Sequence, residues 1–180
     1  FMDEKGQASV DRILEYLAVR KLARRMEPRA ATPGKRLKTI RPLARAGVPT
    51  GVFTAPVIPG LTDMEMESII EAAATAGARS AGYMLLKLPL EVKGLFEEWL
   101  AENVPDRRQR VLNLLRETHG GRLYDSAFGR RMTGSGPFAD LLRDRFRLAI
   151  ARLGLDDDAP PLDPSQFVPP PRPSGQLSLL

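Results

Sequence analysis

Apolar positions recur at helical spacing near the start of the chain. Val10, Ile13, Leu14, Leu17, Val19 and Leu22 form one stripe, so the pattern predicts a helix from Val10 to Met26. Pro28 and Pro33 interrupt it. A second helix is expected from about Lys35 to Ala46, with Leu37, Ile40 and Leu43 inward, Gly47 as its stop and Pro42 as a point of weakness. The period then changes. Thr50 to Ile58, TGVFTAPVI, is apolar on both faces and bounded by turn formers, which is how a strand covered on both sides reads. Thr62 and Glu65 have the spacing of a capping box, and Met64, Ile69, Ile70 and Ala73 give the following helix an inward face until Gly77 stops it. Arg79 to Pro89, RSAGYMLLKLP, reads as a second buried strand closed by proline.

Strand, helix, strand, with about a dozen helical residues between, is a βαβ unit and implies parallel strands joined by a right-handed crossover. Two parallel strands do not stand alone as a sheet, so the pattern implies further strands or a place in a larger α/β barrel or doubly wound sheet. The second half changes character. Helices are expected at about Glu91 to Asn103, Pro105 to Thr118 and Pro137 to Leu153, with a glycine-rich basic loop, HGGRLYDSAFGRRMTGSGP, from His119 to Pro137. After Leu155, three aspartates and the proline-dense APPLDPSQFVPPPRPSG predict an extended tail ending in QLSLL.

The 180 residues, 43% of them apolar, are enough to bury one core. No apolar run approaches membrane-spanning length and no signal-peptide pattern is present, so a soluble, cytoplasmic protein is expected. The absence of cysteine excludes disulfides, thiolate nucleophiles and cysteine-held metal or iron–sulfur clusters within this chain. The net charge of +5 is unevenly spread. Between Leu17 and Thr50 lie Arg20, Lys21, Arg24, Arg25, Arg29, Lys35, Arg36, Lys38, Arg41 and Arg45 against the single acid Glu27. That bias fits a phosphate-bearing partner, nucleic acid foremost, and equally a solvated arginine-rich surface.

Three places could carry chemistry. The first is the strand end APVIPGLTD, Ala55 to Asp63, because parallel sheets bind ligands beyond the carboxyl ends of their strands. There Val57, Ile58, Pro59 and Gly60 would offer backbone contacts beside Tyr83, Leu85 and Leu86; the same Pro-Gly pair reads as well as a plain chain reversal. The second is the basic loop, where Arg122, Arg130 and Arg131 surround Tyr124 and Phe128 in the manner of a nucleic-acid surface. Its neighbours His119, Asp125 and Ser126 have no catalytic spacing, and His119 reads as a helix-end residue. The third is Glu27 with Arg36, a carboxylate and guanidinium suited to a zwitterion or to a surface ion pair.

Taken in order, RRMEPRAATPGKRL (Arg24 to Leu37), AGVPTGVFTAPVIPGLTD (Ala46 to Asp63), AGARSAGYMLLKLPLEVKGLFEEWL (Ala76 to Leu100) and GGRLYDSAFGRRMTGSGPFADLL (Gly120 to Leu142) resemble the C-terminal half of bacterial radical S-adenosylmethionine proteins. The branch is the DNA-repair photolyase-like one, related to spore photoproduct lyase. The resemblance implies an α/β fold, the C-terminal part of a partial (β/α)6 barrel, followed by a mostly helical region and a disordered proline-rich tail. Its boundaries would be a divergent N-terminal helix over 1–23, the barrel portion over 24–89, the helical region over 90–155 and the tail over 156–180. TGVFTAPVIPG is similar to the fifth barrel strand and SAGYMLLKLP to the sixth. The resemblance implies S-adenosylmethionine as cofactor, its adenine held by Val57, Ile58, Pro59 and Gly60 and by Tyr83, Leu85 and Leu86. It also implies a 4Fe–4S cluster that cleaves the sulfonium to give a radical acting on nucleic acid.

The family's CxxxCxxC cluster loop and first strands are absent, and a helix stands where its fourth strand would end. The expectation is therefore a C-terminal fragment, inactive alone, whose missing half is a separate chain or lost. The alternative is a non-catalytic module that binds DNA or the sliding clamp. QLSLL resembles the clamp-binding pentapeptide, with Gln176, Leu177, Leu179 and Leu180 as the contacts and Leu180 in place of the usual phenylalanine.

Overall fold

A computed structural model describes residues 21–155 and 164–170. Residues 21–26 are helical, in keeping with the end of the first predicted helix. They are followed by α1 (Pro33–Arg45), β1 (Gly51–Val57), a 3-10 turn (Asp63–Glu65), α2 (Met66–Ala76), β2 (Ser80–Leu85), α3 (Val92–Asn103), α4 (Pro105–Thr118) and α5 (Pro137–Leu153). Prolines at the first positions of α1, α4 and α5 start helices where their missing N–H costs nothing. Pro42 sits inside α1 without ending it, three residues before the last helical residue Arg45.

The two strands are parallel neighbours, with Gly51 opposite Ser80 and Thr54 opposite Tyr83. The ladder breaks step between Thr54 and Val57 and resumes with Val57 opposite Leu85. Pro56 lies in that gap and has no N–H to give to a ladder. Helix α2 packs on β1, α1 and α5 pack on α2, and α4 packs between α3 and α5.

This arrangement corrects the expected partial (β/α)6 barrel. Among the described residues the sheet has two strands only, and every other regular element is a helix. Two strands with one neighbour each cannot begin to close a barrel. What the sequence pattern read as a βαβ unit is present, as a small parallel sheet in a helix-dominated α/β fold.

The sheet is covered on one face. Val57 and Leu85 are fully buried among Met66 and Ile70 of α2 and Leu142 and Ala149 of α5. The opposite face is open at Phe53, which is 61% exposed. Its ring lies so close over Gly82 that a Cβ there would stand 2.6 Å from it. The expectation of a strand buried on both sides fails at this point, because no described element covers Phe53. A second cluster lies beyond the strand ends, where Ile58, Leu61 and Leu88 pack with Phe96 and Leu100 of α3 and Leu112 and Leu115 of α4.

The two clusters are joined by an arginine. Arg145 of α5 donates to Glu67 of α2 through Nε (2.6 Å) and Nη2 (2.8 Å). Nη2 also donates to the backbone carbonyl of Asp63 (2.8 Å), and Nη1 lies 3.5 Å from the Asp63 carboxylate. The guanidinium is thus spent on both carboxylates and one carbonyl, a forked geometry that lysine cannot reproduce. The hydrogen bond from Arg145 holds the Glu67 carboxyl below its ordinary value of 4.5. It likewise raises Arg145 itself, against the opposing effect of burial.

Arg145→Ala is expected to lower unfolding stability by roughly 1–3 kcal/mol, the usual loss when a partly buried charged hydrogen bond is removed. Urea titration measures it. Because Glu67 has a depressed value when folded, its contribution is complete above about 4.5 and declines as pH falls through the lower folded value. Glu67→Gln should flatten that acid-side decline; equal acid slopes in both proteins would contradict the assignment.

Candidate functional site

The turn after β1 is closed by its own side chains. The Ile58 N–H donates to Thr62 Oγ1 (2.9 Å), and the Gly60 N–H donates to Asp63 Oδ1 (2.7 Å). The Leu61 and Thr62 N–H groups both point back to the Ile58 carbonyl. Thr62 therefore does not act as the capping residue that its spacing with Glu65 predicts, and α2 begins without a side-chain cap. Its hydroxyl is already engaged by the preceding turn. Gly60 has φ +76, and an added Cβ would come within 3.0 Å of Leu114 on α4. Glycine is needed there for both reasons.

The residues expected to face an adenine are brought together, but inside the protein. Val57, Ile58 and Pro59 are buried and Gly60 is half-buried beneath α4. Leu85 is fully buried, and the Leu86 N–H donates to the Val57 carbonyl (3.0 Å). The Tyr83 ring lies tilted against Phe146 of α5, centroids 4.8 Å apart, and its hydroxyl is buried without a partner. Burial raises the value of that phenol. The freed amides that a ligand would use are consumed, so this end of the sheet does not fit S-adenosylmethionine as the chain is folded. A 4Fe–4S cluster does not fit either, since the chain has no cysteine and the described residues hold no group of three or more metal-ligating side chains.

The basic loop is different. His119 caps the end of α4 and is buried; its Nδ1 lies 2.9 Å from the Leu115 carbonyl and 3.0 Å from the Thr118 hydroxyl, and Nε2 has no partner. This is the helix-end role its sequence position predicts. From there the chain runs outward. Asp125 accepts from the Ala127 N–H (2.9 Å) and pairs with Arg130 (3.2 Å), which folds the loop into a compact turn. Phe128 at its tip is 90% exposed, and the Arg131 guanidinium lies 5.4 Å from the centre of its ring. Arg122, Arg130 and Arg131 are all exposed. The far end of the loop is anchored to the sheet through the Leu85 N–H and the Met132 carbonyl (2.8 Å).

Beside this loop lies a cleft of about 440 Å³, lined by Leu90, Lys93, Arg122, Tyr124, Asp125 and Ser126 among others. Sequence reading passed over Lys93 and Leu90 because they sit on the preceding connection and on α3, with no motif linking them to the loop. Leu90 carries the signal that only structure gives, a φ of 47 in a residue other than glycine.

Glu27 and Arg36 do meet, at 2.8 Å, but both are more than half exposed and they stand as a surface ion pair. The exposed bases of α1, Lys35, Lys38, Arg41 and Arg45, face no acid on that helix. Gln176, Leu177, Leu179 and Leu180 lie outside the described residues. No helix among the described residues is long and apolar enough to cross a membrane.

No family model matches the chain, and no solved structure does. It is similar to uncharacterized proteins of Mycobacterium bovis and Mycobacterium tuberculosis, at 31% identity over 153 residues in each case. The match covers 82% of this chain and 41% of each relative, so the chain spans less than half the length of the curated relatives it matches.

Because the turn's amides are satisfied, S-adenosylmethionine should leave the melting temperature of this chain unchanged in a thermal-shift assay. Gly60→Ala should destabilise it by about 1–2 kcal/mol through left-handed strain alone, read by urea titration.

Proposed function

We propose that this chain is the nucleic-acid-facing C-terminal section of a longer radical S-adenosylmethionine protein of the DNA-repair photolyase-like branch. In this reading the section binds nucleic acid, and the cluster and the cofactor are held by residues outside this sequence. The reading includes a cytoplasmic location, where such a surface meets nucleic acid.

One observation carries it. The loop from His119 to Pro137 presents Arg122, Arg130 and Arg131 to solvent, with the Arg131 guanidinium 5.4 Å from the centre of the exposed Phe128 ring. Arginine supplies phosphate contacts and a planar cation, and an exposed aromatic ring gives a base something to stack on. The sequence resemblance in four ordered segments and the greater length of the relatives support membership of a larger protein.

Fluorescence anisotropy with a labelled single-stranded oligonucleotide tests the reading. Affinity should fall with salt, and each of Arg122→Ala and Arg131→Ala should reduce the slope of log K against log salt by about 0.7. Phe128→Ala should weaken binding by roughly 1–3 kcal/mol without changing the slope. Binding that ignores salt, or that none of these substitutions alters, refutes it. Iron and sulfide reconstitution of this chain alone should yield no visible cluster absorbance, since cysteine ligands are lacking.

A further inference from the structure

The cleft beside the loop holds chemistry that a general nucleic-acid surface does not need. Its volume of about 440 Å³ lies in the roughly 300–1,000 Å³ range of small-ligand sites. Two cations line it, Lys93 from the first turn of α3 and Arg122 from the loop, and neither is in an ion pair among the described residues. The carboxylate of Asp125 also lines it, but its charge is matched by Arg130 at 3.2 Å and by the Ala127 N–H. The first turn of α3 itself carries no acidic residue; Glu91 stands at its N-cap and is not among the residues that line the cleft.

The remaining wall is apolar and fixed. Tyr124 is half-buried and backed by the buried ring of His119, with centroids 6.5 Å apart. Leu90 stands at the lip, 80% exposed, with its backbone in the left-handed region at φ 47. A leucine held there is strained, and such strain gathers at binding sites. Pro89 and Ser126 complete the lining.

We infer that this cleft seats a nucleotide bearing a terminal phosphate monoester, its phosphate between Lys93 and Arg122 and its base against Tyr124. The inference rests on the nucleic-acid reading above and specifies which part of the polymer this site takes. A terminal monoester carries a charge of about −1.5 to −2 near pH 7, whereas an internal diester carries one negative charge. Two unpaired cations at one cleft match the former. The same chemistry is offered by a free mononucleotide and by the phosphorylated end of a strand, and the measurement separates them.

Calorimetric titration of the full chain would use thymidine 5′-monophosphate, thymidine, inorganic phosphate, and a short oligonucleotide with and without a 5′-phosphate. The expected result is binding of the monophosphate and preference for the phosphorylated end by about tenfold or more, with thymidine and inorganic phosphate each much weaker. Lys93→Ala and Arg122→Ala should each reduce that preference roughly 10-fold or more, the range of a lost charged hydrogen bond. Lys93 is exposed, so its replacement leaves the fold intact; Tyr124→Leu keeps the packing and removes the stacking surface.

Equal affinity for both oligonucleotide ends, unchanged by Lys93→Ala, overturns the cleft assignment while leaving the loop reading in place. Binding of the mononucleotide without any oligonucleotide supports the cleft and refutes the loop. A preference for the phosphorylated strand over the free mononucleotide identifies the strand end as the ligand, and the reverse identifies the free nucleotide. No binding by any probe refutes both readings.

Discussion

One guanidinium settles how the halves of this protein meet. Arg145 approaches from α5 and finds Glu67 and Asp63, which come from the helix and the turn that follow β1. The turn, the start of α2 and the middle of α5 are therefore fixed by a single planar group. Apolar burial alone would let these elements slide, since packing of Val57, Leu85 and Leu142 is tolerant of small shifts in a way that a forked hydrogen bond is not. Once the turn is set, Gly60 can lie against Leu114, and α4 and α3 close over Ile58.

Much of the architecture was legible in the pattern of residues. Stripes such as Phe96 with Leu100, or Val111 with Leu115, mark helix faces at short range, and the strands were bracketed by turn formers. What escaped was non-local. Arg145 meets partners 78 and 82 residues away, and nothing in the local sequence distinguishes it from Arg143 or Arg147, which pair within their own helix. Thr62 was misread because two acceptor roles compete for one hydroxyl, and the turn wins over the helix cap. Phe53 was misread because an apolar strand residue says nothing of whether its face is covered.

The candidate site divides in the same way. The strand end was found as a place where Val57 to Gly60 and Tyr83 to Leu86 converge, and they do converge. That helices cover them depends on residues from the far end of the chain. Arg122, Arg130 and Arg131 were recognisable because charge and aromatic residues alternate within one loop. Lys93 was invisible until folding placed α3 beside that loop.

The small sheet leaves each strand with one outer rim among the described residues, that of β2 partly taken up by the bond from Leu85 to Met132. On β1 that rim is not uniform. Pro56 removes a donor and the ladder shifts between Thr54 and Val57, so a second chain laying itself alongside would lose register before reaching the core. The stretch from Gly51 to Thr54, with Phe53 bare above it, has no such interruption. Among the described residues, then, the rim of β1 would resist an added strand at its carboxyl end and accept one at its amino end, a polarity written by one proline.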